Sequence, residues 1–406
     1  MPQSDDAKTR DRLAQRWASF GTSIFTEMTD LARERRAVNL AQGFPDFRGP
    51  ARLLDAVADH VRTSHHQYAP GIGEERLRRA LARFVSPGLG IELDPRTEVT
   101  VTTGATEALY ASINALVNPG DRVVVFEPTY DSYPQAIANA GGVLVPVRLH
   151  PPAPGEPGRS DWTVDWTVDW EAFEAAVRDG FRLLILNTPH NPTGKVFSAD
   201  ELARIAAGLR AADAVAVCDE VYEALVYEDA RHRSLASLDD VRDRVVRVSS
   251  AAKTFGFTGF KIGWVTAPPD LTAAVRLVHQ ATVFSTTPFL QTAIAEVLED
   301  EAWLAGYLAE VKRDYQAKRD RLRGALEAAG FAVPRVLGTY FLMASYAGMS
   351  DEPDIVFARR LIEERGVAAI PPSVFYERDP GPLPWLRFAF CKRDETIDRA
   401  AAQLRR

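Results

Sequence analysis

From about residue 97 to residue 266 the chain alternates short apolar, β-branched runs with longer helix-like segments. Residues 99–103, 122–127, 143–149, 183–186, 214–218, 244–249 and 262–266 read as strands. Residues 105–117, 133–140, 170–178 and 199–211 read as helices between them. Strands that are apolar along nearly their whole length need cover on both faces. The pattern therefore predicts an α/β fold, a mostly parallel seven-stranded sheet sandwiched by helices. Such sheets bind ligands beyond the carboxyl ends of their strands. The residues at those ends are Gly104, Ala105 and Thr106, then Pro128, Thr129 and Tyr130, then 187–191, 219–222 and 250–253. They are polar, ionisable or glycine-containing, and the topology turns them toward one crevice.

The final third changes character. Residues 290–329 look helical and charged, followed by strand candidates at 339–344, 368–370 and 386–390 and a helix near 395–404. The expected division is an N-terminal arm over 1–50 that joins a smaller α+β domain, a large domain over 51–292, and the rest of the small domain over 293–406. A proline-rich loop at 151–158 precedes a tandem duplication, DWTV-DWTV-DW, at 161–170. Its expected place is a surface insertion, too short for a repeat architecture.

Composition narrows the function. A net charge of −7 argues against a general nucleic-acid binder. Cys218 and Cys391 lie far apart and form no C-x-x-C, so neither a disulfide framework nor a zinc site is expected. The polar first twelve residues hold no apolar leader, and no run is long enough to cross a bilayer. A cytoplasmic enzyme is the expectation. Only seven of the 48 basic residues are lysine, yet Lys253 and Lys261 share the otherwise uncharged stretch 249–265. Arginine stays protonated, whereas a desolvated lysine becomes a free amine that can form an imine.

The strand ends offer a coherent set. Ser250 stands three residues before Lys253, and Lys261 eight after it. Asp219 closes an apolar strand, with Tyr222 one helical turn on. Asn191-Pro192-Thr193-Gly194 is a turn after another strand, Gly104-Ala105-Thr106 opens a helix, and Arg387 sits inside the strand pattern 386–390. Taken singly, Asp219 reads as a helix cap, Asn191 as a turn residue, Tyr68 and Tyr130 as core aromatics and Arg387 as a salt-bridged residue. Together they match the needs of pyridoxal 5′-phosphate. Its aldehyde needs a lysine, its ring nitrogen a carboxylate, its phosphate helix-start N–H groups, and the substrate carboxylate a guanidinium fork.

Longer segments carry a resemblance: VNLAQGFPDF (38–47), HQYAPGIG (66–73), VTTGATEAL (101–109), EPTYDSY (127–133), LNTPHNPTGKVF (186–197), DEVYE (219–223), SSAAKTFGFTGFKIGW (249–264), GTYF (338–341), VAAIP (367–371) and RFAFCKRDET (387–396). Over residues 20–400 the chain resembles the fold-type I, class I/II aminotransferases, nearest to the kynurenine/glutamine and bacterial methionine aminotransferases. The resemblance implies that Lys253 forms the Schiff base and then moves the proton between substrate Cα and C4′ of the cofactor. It implies that Asp219 pairs with the ring nitrogen, Tyr222 and Asn191 bond the ring oxygen, and Tyr130 stacks on the ring. Gly104, Ala105, Thr106, Ser250 and Lys261 would hold the phosphate. Tyr68 would reach the phosphate of a second subunit, implying a homodimer with shared active sites. Arg387, with Asn191, would clamp the α-carboxylate, and Phe25, Gly43, Phe284 and Tyr340 would line the substrate pocket. Phe260 stands where relatives usually have Trp, and Lys261 where many have Arg, which keeps the charge but loses the fork.

The implied reaction is ping-pong transamination between an L-amino acid and a 2-oxo acid. The pocket is largely apolar and aromatic, with no second obvious arginine, which disfavours aspartate. It favours methionine, glutamine, phenylalanine or kynurenine. N-succinyl-diaminopimelate transamination and cysteine-conjugate β-elimination are the alternatives within the same chemistry. A non-catalytic sensor is disfavoured, because no basic domain precedes residue 20. A nicotinamide enzyme would rest on Gly71-Ile72-Gly73 alone, which lacks the third glycine and a preceding strand.

Overall fold

The computed structural model describes residues 12, 14–18, 20–21, 23–64, 66–152 and 165–405. The twelve strands among these are β1 (Val38–Asn39), β2 (Val99–Thr102), β3 (Arg122–Glu127), β4 (Val143–His150), β5 (Thr167–Val168), β6 (Leu183–Asn187), β7 (Val215–Asp219), β8 (Val245–Ser250), β9 (Gly263–Thr266), β10 (Phe341–Ser345), β11 (Val367–Ala368) and β12 (Trp385–Ala389). Eight form one sheet in the order β2-β9-β8-β7-β6-β3-β4-β5. The seven expected strands are present, and β5 is a two-residue addition at the edge.

The contiguous run β4, β3, β6, β7, β8 is parallel, whereas β9 lies antiparallel to both neighbours, β8 and β2. The reversal of β9 matters for the site. β2 runs with the parallel five, so six strands end at one rim of the sheet and β9 begins there, which brings Lys261, just ahead of β9, beside the ends of the others.

Alternation along each strand loads both faces. Val123, Val125, Leu183, Ile185, Val217 and Val248 face a cluster with Leu109, Ile113, Ile137 and Val275, from the helices Gly104–Leu116, Ser132–Ala140 and Pro269–Thr282. Their neighbours Val124, Phe126, Leu184, Leu186 and Ala216 face Phe173, Leu202 and Ile205, from the helices Trp170–Asp179 and Ala199–Ala211. Helix Ala199–Ala211 starts at a full capping box, Ser198 with Glu201, so its orphan N–H groups are satisfied locally.

A separate cluster gathers Met28, Leu40, Leu322, Tyr340, Leu361, Ile370 and Phe388 with Tyr222 and Leu225. Here β10 pairs antiparallel with β12, and β1 pairs parallel with β11, so the N-terminal stretch joins the C-terminal one by backbone pairing. The charged helical stretch expected at 290–329 is two helices, Pro288–Glu299 and the 28-residue Glu301–Ala328, divided at Asp300, whose side chain accepts from Trp303 N at 3.0 Å. No described helix is long and apolar enough to cross a membrane.

The expectation of a surface insertion at 161–170 is corrected for its second copy. Trp166 is 1 % exposed and packs on Trp385, Thr167–Val168 form β5, and Asp169 caps helix Trp170–Asp179 through Ala172 N. An edge strand and a large buried aromatic are structural, whatever the repeat. The first copy, 161–164, lies outside the described residues.

Candidate active site

At the rim where β2, β3, β6, β7 and β8 end, a cavity of about 320 Å³ opens. Its floor is Asp219, the last residue of β7, 4 % exposed. Tyr133 Oη donates to Asp219 Oδ2 at 2.7 Å, and Val221 N donates to Oδ1 at 3.3 Å. Burial raises this carboxyl to about 6, against the pull of those two donors and of Lys253. The turn after Asp219 is braced from below. Arg247 on β8, itself buried, donates from Nε to Glu220 at 2.6 Å and also pairs with Glu223. Burial alone would raise Glu220, but Arg247 and His232 outweigh it and hold the carboxyl down at about 2. Asp219 and Tyr222 thus project from a turn fixed by ion pairs.

Lys253 lies in the single turn Ala251–Thr254 that follows β8, with Nζ 5.8 Å from the Tyr222 ring centroid and 5.5 Å from that of Tyr340. Burial lowers its amine to about 8, and the nearby cations Arg387 and Lys261 add to the shift. About a tenth of this lysine is then a free amine at pH 7 and about half near pH 8, far more than for an ordinary lysine, as an imine-forming nucleophile requires. On the near wall Tyr130 meets Tyr133 edge-on at 5.6 Å.

Opposite stands Arg387 on β12, 1 % exposed. Nη1 donates to Asn191 Oδ1 at 2.9 Å and Nη2 to Ala41 O at 3.0 Å, while Nε has no partner. The guanidinium carbon is 4.0 Å from the Phe341 ring centroid, 5.0 Å from Phe25 and 5.4 Å from Phe375. No described carboxylate pairs with it, and burial lowers it to about 10. A caged guanidinium with a spare N–H and no counter-ion is a receptor for an anion.

The third wall is backbone. Gly104 has φ +78° and opens helix Gly104–Leu116, with Ala105 and Thr106 in its first turn. A Cβ on Gly263 would sit 2.5 Å from the Gly104 carbonyl carbon and 2.7 Å from Ala105 N, so β9 reaches this loop only because it starts with glycine. Ser250 and Lys261 face the same corner of the cavity. N–H groups at a helix start, a hydroxyl and an ammonium suit a phosphate.

Most residues expected at the site thus line this one cavity, including Phe25 and Gly43. Three do not. Tyr340 is 1 % exposed and stands behind the wall, donating from Oη to Gly43 O. Tyr68 and Phe284 meet edge-on at 5.2 Å on the outer surface, 83 % and 50 % exposed. Among the lining residues without an expected role, two are ionisable: Tyr133, three residues after Tyr130, and Asp131, whose carboxyl burial raises.

The sequence profile of the aminotransferase class I and II family matches residues 35–404. The chain belongs to this family. A methionine aminotransferase from Escherichia coli is 41 % identical over 385 residues, covering 95 % of this chain and 96 % of the other. A protein from Mycobacterium tuberculosis described as a probable N-succinyldiaminopimelate aminotransferase is 42 % identical over 394 residues, with the same two shares. A kynurenine–oxoglutarate transaminase from Dictyostelium discoideum is 37 % identical over 411 residues, covering 94 % and 93 %. The solved E. coli methionine aminotransferase superposes with a TM-score of 0.90 at 39 % identity, over 97 % of this chain and 99 % of the other. The protein is therefore a pyridoxal 5′-phosphate-dependent aminotransferase. Its residues fit that cofactor on structural grounds. A buried carboxylate at the floor suits a protonated ring nitrogen, the depressed amine of Lys253 suits the aldehyde, and the glycine-built helix start suits the phosphate.

Proposed function

We propose that this aminotransferase takes the amino group from L-amino acids with apolar, aromatic or amide side chains (methionine, glutamine, phenylalanine, kynurenine) and passes it to a 2-oxo acid in ping-pong fashion. The observation that carries this is the charge inventory. Once Lys253, Lys261 and Arg387 are assigned to aldehyde, phosphate and α-carboxylate, no lysine or arginine remains among the cavity's described lining residues. The rest of the lining is uncharged apart from carboxyls, and includes Phe25, Phe44, Tyr130 and Phe341, with Gln42 and the carboxyl of Asp131. The adjoining cleft shares Phe25 and Asp131 and adds Glu27, Glu377, Gln135 and Ser23. A side chain ending in a carboxylate would enter this region unpaired and desolvated, at a cost of several kcal/mol.

When bound, the cofactor supplies an electron sink that acidifies the substrate Cα–H. The chain's own residues do the rest. The Arg387 guanidinium, with Asn191, grips the α-carboxylate and presents Cα to Lys253. Lys253 Nζ, as a free amine, takes the Cα proton. Asp219, kept anionic by the Tyr133 hydroxyl, holds a proton on the ring nitrogen, and Tyr222 donates to the ring oxygen. The aromatic wall limits water at the reacting carbon.

The 42 % identity to the M. tuberculosis protein favours a second reading, N-succinyl-diaminopimelate as donor. That substrate carries further carboxylates beyond the reacting centre, which the acidic lining opposes. Initial rates with methionine, glutamine, phenylalanine, kynurenine, glutamate and N-succinyl-diaminopimelate decide the matter. The proposal expects kcat/KM for the first four to exceed the last two by about tenfold or more, and the reverse ranking rejects it. We also propose a homodimer, supported by the exposed Tyr68–Phe284 pair. Sedimentation equilibrium should give a dimer, and Tyr68→Phe should weaken cofactor binding; a monomer retaining full affinity rejects this.

A further inference from the structure

Behind the phosphate corner lies an ion pair that the reaction does not use. Glu107 is the fourth residue of helix Gly104–Leu116, and its Oε2 accepts from Thr103 N at 3.0 Å, capping the helix start from within. Its Oε1 lies 3.0 Å from Nδ1 of His279, on helix Pro269–Thr282. The other ring nitrogen, Nε2, lies 2.7 Å from the carbonyl oxygen of Gly71. His279 is 1 % exposed and Glu107 9 %.

Both ring nitrogens of His279 face acceptors, so each carries a proton and donates it. The group is an imidazolium paired with a carboxylate. Burial opposes this charge, but the bond to Glu107, its negative charge and the Gly71 carbonyl outweigh burial and raise the imidazole above its usual value. Other charges around the pair are few. Arg276, on the same helix, lowers His279 and is tied to Thr100 Oγ1 and Val99 O, each at 2.8 Å. Arg78, on helix Glu75–Leu89, bonds Gly73 O at 3.1 Å. On helix Gly104–Leu116 the facing charged group is Glu107 itself.

The position of Glu107 creates a conflict. A carboxylate in the first helical turn stabilises the helix dipole, yet it sits beneath the N–H groups that receive an anionic phosphate. Like charges at one helix start repel. We infer that His279 is a positioning residue for the cofactor phosphate: its imidazolium cancels the charge of Glu107, so that the carboxylate caps the phosphate-binding turn without repelling the phosphate. Through Gly71 O it also ties that turn to the segment 66–73 that carries Tyr68. The inference rests on the aminotransferase reading of the cavity.

Its consequence is a phosphate affinity that follows the protonation of His279. As pH rises through the raised imidazole pKa, Glu107 is unmasked and an anion binds more weakly. Sulfate is the probe, because it remains a dianion throughout and forms no imine. Its affinity for the full-length apoenzyme is read from competition with pyridoxal 5′-phosphate rebinding, followed by protein fluorescence. A Lys253→Ala background removes that lysine's own titration. From the acid to the alkaline side of that titration sulfate affinity should fall about three- to tenfold. His279→Gln should bind as weakly at neutral pH as the parent does on the alkaline side, with a flat profile. Glu107→Gln should be flat too, but at the tight level, and it serves alone if His279→Gln fails to fold. A parent profile that is already flat, or a Glu107→Gln profile that still falls with pH, overturns the inference. Pyridoxal without phosphate, added to enzyme retaining Lys253, separates this outcome from failure of the underlying reading. If it too forms no complex with the apoenzyme, the cofactor assignment itself fails.

Discussion

Among the described residues the hydroxyl of Tyr133 is the one side-chain donor bonded to the Asp219 carboxylate, at 2.7 Å, and Tyr133→Phe removes it while keeping the ring. A hydrogen bond to a buried carboxylate contributes about 1.5–3 kcal/mol. At about 1.4 kcal/mol per pKa unit, its loss should raise the Asp219 carboxyl by a further one to two units. In the wild type burial has already raised it from 3.8 to about 6. A carboxyl raised in the folded state stabilises the fold below its unfolded pKa, and that contribution is lost as pH rises through the folded pKa. For the wild-type apoenzyme the loss occurs between about pH 4 and pH 6. In Tyr133→Phe it should extend to about pH 7–8. The two proteins should then unfold alike near pH 5, where Asp219 is protonated in both, and diverge by about 1.5–3 kcal/mol near pH 8. Thermal or urea unfolding of both apoenzymes across this range checks it, with Asp219→Asn, which lacks the titration, as the control. A stability difference that is the same at pH 5 and pH 8 would refute the claim that this hydroxyl keeps Asp219 ionised.

Arg387→Lys keeps a charge but loses the fork that meets both Asn191 and an incoming carboxylate. Steady-state kinetics should show kcat/KM falling about 10²-fold or more for every donor alike, the loss of roughly 3 kcal/mol of charge-assisted bonding. Arg247→Met takes the guanidinium from the buried Glu220, which keeps His232, and from the partly buried Glu223. Unfolding measurements should register about 3–5 kcal/mol of destabilisation. Trp166→Ala opens a cavity against Trp385 at the edge strand and should cost about 3–5 kcal/mol, where a surface insertion would cost almost nothing.

The sheet was legible because its strands are apolar end to end, and strand ends in such a sheet define a crevice without further information. Lys253, Asp219, Tyr222, Asn191 and Arg387 all stand at strand ends or within strands, where residue type and position speak together. Other features lack a local signal. Strand periodicity carries no direction, so the reversal of β9 that brings in Lys261 could not be read from it. Tyr133 gains its role from a contact 86 residues away, and the pairing of His279 with Glu107 spans 172. Nothing in the spacing of either sequence neighbourhood encodes such partners. The DWTV repeat misled because duplication suggests a dispensable segment, whereas burial of Trp166 depends on the surroundings its second copy meets. Asp300, which divides the long helical stretch, is an ordinary cap residue whose effect depends on the turn it takes.

The most direct test of the central claim is the absorbance spectrum of the purified protein with pyridoxal 5′-phosphate, before and after methionine or glutamine is added without any 2-oxo acid. The account predicts a visible band from cofactor joined to Lys253, its replacement by a near-ultraviolet band on adding either donor, and no such exchange in Lys253→Ala. A wild-type protein that shows no visible band with the cofactor, or whose spectrum matches that of Lys253→Ala throughout, would contradict it.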